Sequence, residues 1–327
     1  MRIVFMGSSP ASAVCLRAIM RERELEVAGV VSQPDRPVGR GKVVTPCPLK
    51  AFAVESGITE IITPEDVNTC ESLERIRAWR PDAIAVVAFG QFLKKPLLDL
   101  PPLGCFNCHF SLLPKYRGAS PVVAAIAAGD KLTGVSVIKM GIGMDDGPVL
   151  LQSYEPIYSD ATGGSLMDTL AVAGGVTLAK ALRLLAAGKL GDGVKQHGED
   201  ATFARKLRKT DGAIAWSDPV LTIERKIRAY LPWPGCHTFL PARLRKKGNS
   251  GRVSIGAARI VSCLEPEWKD AEPGTVLACG REGPTVKCLD TAIVLTKLKP
   301  EGGSMMDGGA FLRGRPIVPL SDKFENQ

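Results

Sequence analysis

The chain is poor in the residues that most often carry chemistry. It has three histidines among 327 residues, and aromatic side chains make up only 6%. It also lacks any charge-free apolar run of about 18 residues, the length a helix needs to cross a bilayer, so no segment is expected to span a membrane. The N-terminal Met1-Arg2-Ile3-Val4-Phe5-Met6-Gly7 holds too short an apolar run for a signal-peptide core. It reads as a first β-strand, and the expected compartment is the cytoplasm. The glycine fingerprint G-x-G-x-x-G is missing as well. The first strand–helix turn is Gly7-Ser8-Ser9-Pro10, without the spacing that lets a backbone approach a pyrophosphate, which weighs against a nicotinamide-dependent enzyme. There is no internal repeat and no low-complexity tract.

Cysteine is not scarce, but the nine present are an odd number in a long chain without an export signal. Reduced thiols are expected. Cys105-Phe106-Asn107-Cys108-His109 matches C-x-x-C-H, the attachment pattern of c-type haem. That pattern belongs to exported chains, and no second Cys/His pair stands at zinc spacing. No metal and no tightly bound cofactor are expected.

What is present is apolar material for two ordinary cores, 45% of the chain, and a net charge of +8, which suits a partner carrying phosphates. Short apolar runs at 3–6, 27–31, 84–87, 105–109, 135–139 and 149–154 predict strands. Amphipathic stretches at 12–23, 48–56, 70–79, 121–128 and 166–187 predict helices. Their alternation predicts an α/β fold with a mostly parallel sheet wrapped on both faces. Residues 84–87 are apolar throughout, as in a strand buried on both sides. Ligands then belong beyond the carboxyl ends of the strands, where strand order reverses.

The texture changes near Leu190. A Gly-rich break at 188–193 reads as the start of a linker. After it come a helix at 220–230, a Pro-Gly turn at 232–235, and short β-like runs at 236–240, 252–255, 274–278 and 292–298, which predict a small β-barrel. The expected division is a catalytic domain over 1–189, a linker over 190–208 and a barrel domain over 209–327.

The segment richest in chemistry follows the strand at 105–109. Asn107 and His109 are two apart on it, so they share a face, and they stand where the strand runs into Ser111-Leu112-Leu113-Pro114-Lys115-Tyr116-Arg117-Gly118. An amide donor beside an imidazole can polarise a carbonyl and move a proton. Downstream lies Met140-Gly141-Ile142-Gly143-Met144-Asp145-Asp146-Gly147. By itself Asp-Gly is turn chemistry.

Taken together, Asn107-x-His109-x-Ser111-Leu112-Leu113-Pro114, Tyr116-Arg117-Gly118 and the Met140–Gly147 segment resemble the signature of the folate-dependent formyltransferases. The resemblance implies a Rossmann-like catalytic domain and an OB-like barrel. It implies a catalytic trio of Asn107, His109 and Asp145, and 10-formyltetrahydrofolate as cosubstrate. Ala88-Phe89-Gly90-Gln91 resembles the family's pterin-site segment. Phe89, Gly90 and Gln91 are therefore expected at the folate, with Ser111, Leu112, Leu113 and Pro114 shaping its wall. The similarity extends over nearly the whole chain to the branch that acts on initiator methionyl-tRNA in translation initiation, whose barrel landmarks resemble Leu231-Pro232-Trp233-Pro234-Gly235 and Glu272-Pro273-Gly274-Thr275-Val276-Leu277.

The tRNA is the expected partner; no obligate protein partner is evident. Arg36, Arg40 and Lys42 stand in a Gly- and Pro-containing segment similar to that branch's basic loop, which reads as a flexible arm ordering on nucleic acid. Residues 205–259 carry thirteen cations against three acids. Lys206, Arg208, Lys209, Arg245, Lys246 and Lys247 are the candidate phosphate contacts in that window. The chain departs from the family pattern at Ser8-Ser9-Pro10-Ala11, at Gly141, and at Asp146, which sets a second carboxylate beside Asp145.

Overall fold

Ile3 to Met6 and Ala83 to Val87 are apolar on both sides of the pleat, and both strands are fully buried. They form the centre of a seven-stranded sheet. The computed structural model describes residues 1–39, 41–245 and 247–326, and these divide into two compact units. The first holds Met1–Pro121, Lys131–Pro156 and Leu166–Arg205; the second holds Val122–Asp130, Ile157–Ser165 and the chain from Lys206 onward.

Up to Ala204 the chain runs β1 (Arg2–Gly7), α1 (Pro10–Ile19), β2 (Glu26–Val31), β3 (Arg36–Val38), β4 (Val43–Thr45), α2 (Pro48–Glu55), β5 (Ile61–Ile62), α3 (Cys70–Ala78), β6 (Ala83–Val87), α4 (Lys95–Leu98), β7 (Cys105–His109), β8 (Arg117–Gly118), α5 (Pro121–Ala128), β9 (Leu132–Lys139), β10 (Val149–Pro156), α6 (Gly163–Ala186) and β11 (Phe203–Ala204). The sheet order is β10-β9-β7-β6-β1-β2-β5. β5, β2, β1, β6 and β7 are parallel neighbours, while β9 pairs antiparallel with β7 and β10 antiparallel with β9. From β1 the chain builds outward through β2 and β5, then returns to start β6 on β1's other side. That reversal opens a crevice at the carboxyl ends of β1 and β6.

Local chemistry fixes the crevice floor. Ser9 caps α1 by accepting from Ser12 N, and Pro10 occupies the first helical turn, so the helix begins two residues before the expected 12. Gly7 allows the close approach of helix and strand. A Cβ there would lie 2.6 Å from both Ser12 Cβ and Val87 O, and Ser12 Oγ donates to Val87 O at 2.6 Å.

By length and composition α6 could cross a membrane. Its apolar face is spent on the first unit. Leu170, Ala171, Leu178, Ala179 and Leu182 are buried, and Gly174 and Gly175 let α6 close onto Cys108, Phe110 and α1.

The second unit adds α7 (Val220–Ala229), β12 (Cys236–Phe239), β13 (Arg252–Val261), β14 (Val276–Cys279), β15 (Pro284–Lys287), β16 (Ala292–Pro300), β17 (Met306–Asp307) and α8 (Gly308–Arg313). Its antiparallel sheet has the order β12-β13-β16-β15-β14, with β17 pairing farther along β16. The edges do not stay open. Glu325 exchanges both backbone hydrogen bonds with Phe239 at the edge of β12, Val276 N in β14 donates to Asp322 O at 2.9 Å, and Phe324 N donates to Gly274 O at 2.9 Å. Residues 322–325 therefore stitch the outer strands together and close a small barrel. Its core holds Trp216, Ile223 and Ile227 with Val253, Leu295, Phe311 and Phe324. Ile223 and Ile227 are one turn apart on α7, the spacing that turns one helical stripe inward.

Candidate active site

β7 lies between β6 and β9, with Val86 opposite Asn107 and Ser136 opposite His109. Side chains alternate along a strand, so Asn107 and His109 emerge on one face at its carboxyl end. The loop between β9 and β10 carries Asp145 to the same place. Asn107 Nδ2 donates to Asp145 Oδ1 at 3.1 Å. His109 Nδ1 stands 3.5 Å from Asp145 Oδ2, which also accepts from Gly118 N at 2.8 Å. His109 Nε2 faces Tyr116 O at 2.9 Å. His109 is 6% exposed. The three residues expected to form a trio are thus brought together around one carboxylate.

These contacts fix the ring chemistry. A carbonyl oxygen only accepts, so His109 Nε2 carries the proton there, and in the neutral ring Nδ1 has the lone pair. The 3.5 Å gap at Nδ1 exceeds the roughly 3.2 Å limit of an ordinary N–H···O bond. Nδ1 is therefore the nitrogen available for proton transfer, with a carboxylate beside it.

The backbone of Asp145 is held from an unexpected quarter. It sits in the left-handed region at φ 49. Gln196, from the segment after α6, donates to Asp145 O at 2.8 Å and Gly147 O at 2.7 Å, and accepts from Arg117 Nε and Nη2. Thr202 Oγ1 accepts from Tyr116 N at 2.8 Å, and β11 pairs with β8. Residues read as linker thus complete the site's rim. Gln196 and Thr202 do not stand out in the sequence, because no periodicity or motif of their own surrounds them; Arg117 stands inside Tyr116-Arg117-Gly118, but nothing in that motif points to Gln196 as its partner.

The expected folate residues lie at the same end of the sheet, with many side chains committed inward. Phe89 is buried in the core, and its carbonyl accepts from Gln33 Nε2 at 3.0 Å. Gly90 takes φ 86. The Gln91 amide ties down the preceding loop, accepting from Val67 N and donating to Pro64 O. Ser111 is fully buried and donates to Lys115 O at 2.6 Å. Leu113 is buried, its N–H donating to Ser136 Oγ and its carbonyl accepting from Gln152. Leu112 and Pro114 remain partly exposed.

Cys105 and Cys108 have opposite parity on β7. Cys105 packs among Ile84, Leu97 and Leu98, and burial pushes its thiol up to about 12. Cys108 lies on the other face against Cys15 and α6; a hydrogen bond with Cys15 and then burial hold its thiol well up. The two sulfurs cannot share an ion or one haem edge.

Of the expected tRNA contacts, Arg36 lies on β3 and is paired with Glu65, both largely exposed. The segment read as a flexible arm is a short antiparallel hairpin in which Arg36 pairs with Thr45 and Val38 with Val43. Strand-forming valines on both sides of a Gly-containing turn account for it. Lys42 is exposed, at φ 48. Arg208, Lys209 and Lys247 are not buried, and Lys206 is exposed. Arg245 is turned to Glu325 and the Phe239 ring. Arg40 and Lys246 lie outside the described residues.

A sheet of this topology, with an amide, an imidazole and a carboxylate converging at a strand end, defines a group-transfer site. The family model for formyl transferase matches residues 1–182, and that for the formyl transferase C-terminal domain matches 206–316; the chain belongs to the formyl transferase family. It is 40% identical over 320 residues to the methionyl-tRNA formyltransferase of Geotalea daltonii, covering 97% of this chain and 96% of that one. Among solved structures it resembles WlaRD, a sugar 3N-formyl transferase, at TM-score 0.62 and 17% identity over 90% of this chain and 96% of that one. It also resembles HypX from Aquifex aeolicus at TM-score 0.59 and 17% identity, covering 95% of this chain but about half of the longer HypX, 47%. At those identities the structural likeness speaks for the fold.

Proposed function

We propose that the protein transfers the formyl group of 10-formyltetrahydrofolate to the α-amine of initiator methionyl-tRNA in the cytoplasm, as a step of translation initiation. The chemistry rests on one observation: a single carboxylate, Asp145, addresses both the Asn107 amide at 3.1 Å and the His109 ring at 3.5 Å. The acceptor rests on the full-length similarity to a methionyl-tRNA formyltransferase.

The neutral α-amine attacks the formyl carbon. An NH2 group has two donors; Asp145 takes one of Asn107's, and the other donates to the oxygen that becomes negative in the tetrahedral intermediate. One such donor contributes roughly 3 kcal/mol. His109 Nδ1 accepts the proton released by the attacking nitrogen, directly or through a water, and returns it to N10 of the folate, which leaves neutral. Asp145 stabilises the ring while it carries that proton. The backbone at Phe89, Gly90 and Gln91 and the Ser111–Pro114 turn form the folate side. The cations of the β3–β4 hairpin and of the second unit meet the tRNA backbone.

An acceptor screen tests this. Purified protein with 10-formyltetrahydrofolate is offered charged initiator tRNA, charged elongator tRNA, glycinamide ribonucleotide and a nucleotide-linked amino sugar. Formylation of the initiator species well ahead of the others is the expected result. Preference for either small acceptor would overturn it.

A further inference from the structure

Residues 191–200 are exposed with one exception, Gln196. Its amide is fully used. The NH2 group donates to Asp145 O at 2.8 Å and to Gly147 O at 2.7 Å. The oxygen accepts from Arg117 Nε at 3.1 Å and Nη2 at 2.8 Å. Only one orientation of the amide suits these partners, because the flipped one would set an oxygen against two carbonyls and an NH2 against a guanidinium. Arg117 is itself 8% exposed and fixed in the chain next to Gly118, whose N–H holds Asp145 Oδ2.

Asp145 needs such support. A non-glycine residue in the left-handed region costs on the order of 1 kcal/mol and persists only where its surroundings over-determine it. Residues 141–144 and Asp146 are exposed while Gly147 is buried, so the turn is anchored on its downstream side and through the carboxylate's own bonds from Asn107 and Gly118. The two carbonyls that Gln196 grips bracket the Asp145–Gly147 turn, so the bond network sets where the carboxylate points.

We infer that Gln196, locked by Arg117, is a positioning residue that holds the Asp145 carboxylate in register with Asn107 and His109. The inference rests on the catalytic reading of Asp145 under the proposed function. Gln196 touches neither folate nor acceptor amine; it acts through Asp145.

Two variants test it. Gln196→Glu keeps size and the acceptor for Arg117 but loses both donors. Gln196→Met loses the hydrogen bonds without adding charge. Each is expected to lower kcat by about 10- to 100-fold, the cost of roughly 1 Å of misplacement. KM for 10-formyltetrahydrofolate and for charged initiator tRNA should stay within about threefold in a protein that still unfolds cooperatively; a lower unfolding midpoint is expected, since the buried Arg117 and two carbonyls lose partners. The deciding readout is a double-mutant cycle in single-turnover assays. In an Asp145→Ala background, Gln196→Met should lower the rate no further, because nothing is left to position. An equal loss in both backgrounds would make Gln196 merely structural and overturn the inference. So would wild-type kcat in both Gln196 variants while Asp145→Ala is inactive, an outcome that leaves the catalytic reading standing. Full turnover in Asp145→Ala alone would instead remove that reading, and the inference with it.

Discussion

His109, His197 and His237 carry the same ring, and the fold gives each a different setting. His197 is exposed near Glu199. His109 gives its Nε2 proton to Tyr116 O and presents Nδ1 beside Asp145, so replacing it with alanine should cut turnover at least a hundredfold, the usual scale for a lost acid–base group. Circular dichroism would establish that the variant folds; more than a tenth of wild-type turnover in a folded His109→Ala protein would exclude the proton-transfer role. His237 is buried beside two cations. Burial first, then Arg252 and Lys226, pushes it down to about 4, and it accepts from Arg252 Nη2 at 3.2 Å. In the unfolded chain it titrates near ~6.5. Between those values the unfolded chain binds a proton that the fold refuses, so stability falls as pH drops through that window and levels off below it. A His237→Gln protein should lose less in unfolding midpoint between pH 7 and pH 4.5 than wild type does. Equal losses would count against this account.

At the scale of elements, what the sequence revealed is what repeats. β6 announces itself by the apolar run at 84–87 and β7 by alternation that sets Asn107 and His109 on one face, while the helix expected at 220–230 is α7, with Ile223 and Ile227 on its buried stripe. The trio was legible because motif order substitutes for geometry when its members come from a strand and a distant loop. Gln196 was not, since its role depends on a single side chain folding back across about 50 residues to Asp145. The hairpin β3–β4 leaves no signature in the sequence, because its strands are three residues each, too short to show a period. It also bears on the tRNA reading. Val43 and Val44 are 66% and 65% exposed, so both faces of β4 are open to solvent, with Arg36 on β3 and Lys42 in the turn before β4. Replacing both cations with alanine should reduce the salt-dependence slope of kcat/KM for charged tRNA by roughly 0.7 to 0.9 for each phosphate left unneutralised, with folate affinity unchanged. The Arg36–Glu65 pair is exposed, and its removal should cost at most about 1 kcal/mol of stability. A slope equal to wild type would remove the hairpin from tRNA binding.

At the scale of the whole molecule, the barrel expected for the second unit depends on a closing segment, residues 322–325, that no strand pattern marked. Phe324 is fully buried, its ring centroid 6.3 Å from that of Trp216, and Arg243 and Arg245 pair with Asp322 and Glu325 on either side. Phe324→Ala should destabilise this unit by about 3–5 kcal/mol, as large-to-small core changes do, read from denaturant unfolding followed by tryptophan fluorescence. A loss under about 1 kcal/mol, far below that range, would mean that the closing segment is not part of the core. The same segment also sets a schedule. Ribosomes deliver a chain from its N-terminus, and residues 322–325 follow every strand they join, with Glu325 reaching back to Phe239. Until they emerge, β14 and the Phe239 end of β12 keep bare edges, while the His237 carbonyl of β12 already accepts from Ile214 N at 2.9 Å; such edges are the arrangement most open to pairing with a neighbouring chain. The nascent second unit is therefore an unfinished sheet for most of its synthesis, and its last-made stitch is what turns it from an aggregation hazard into a sealed barrel.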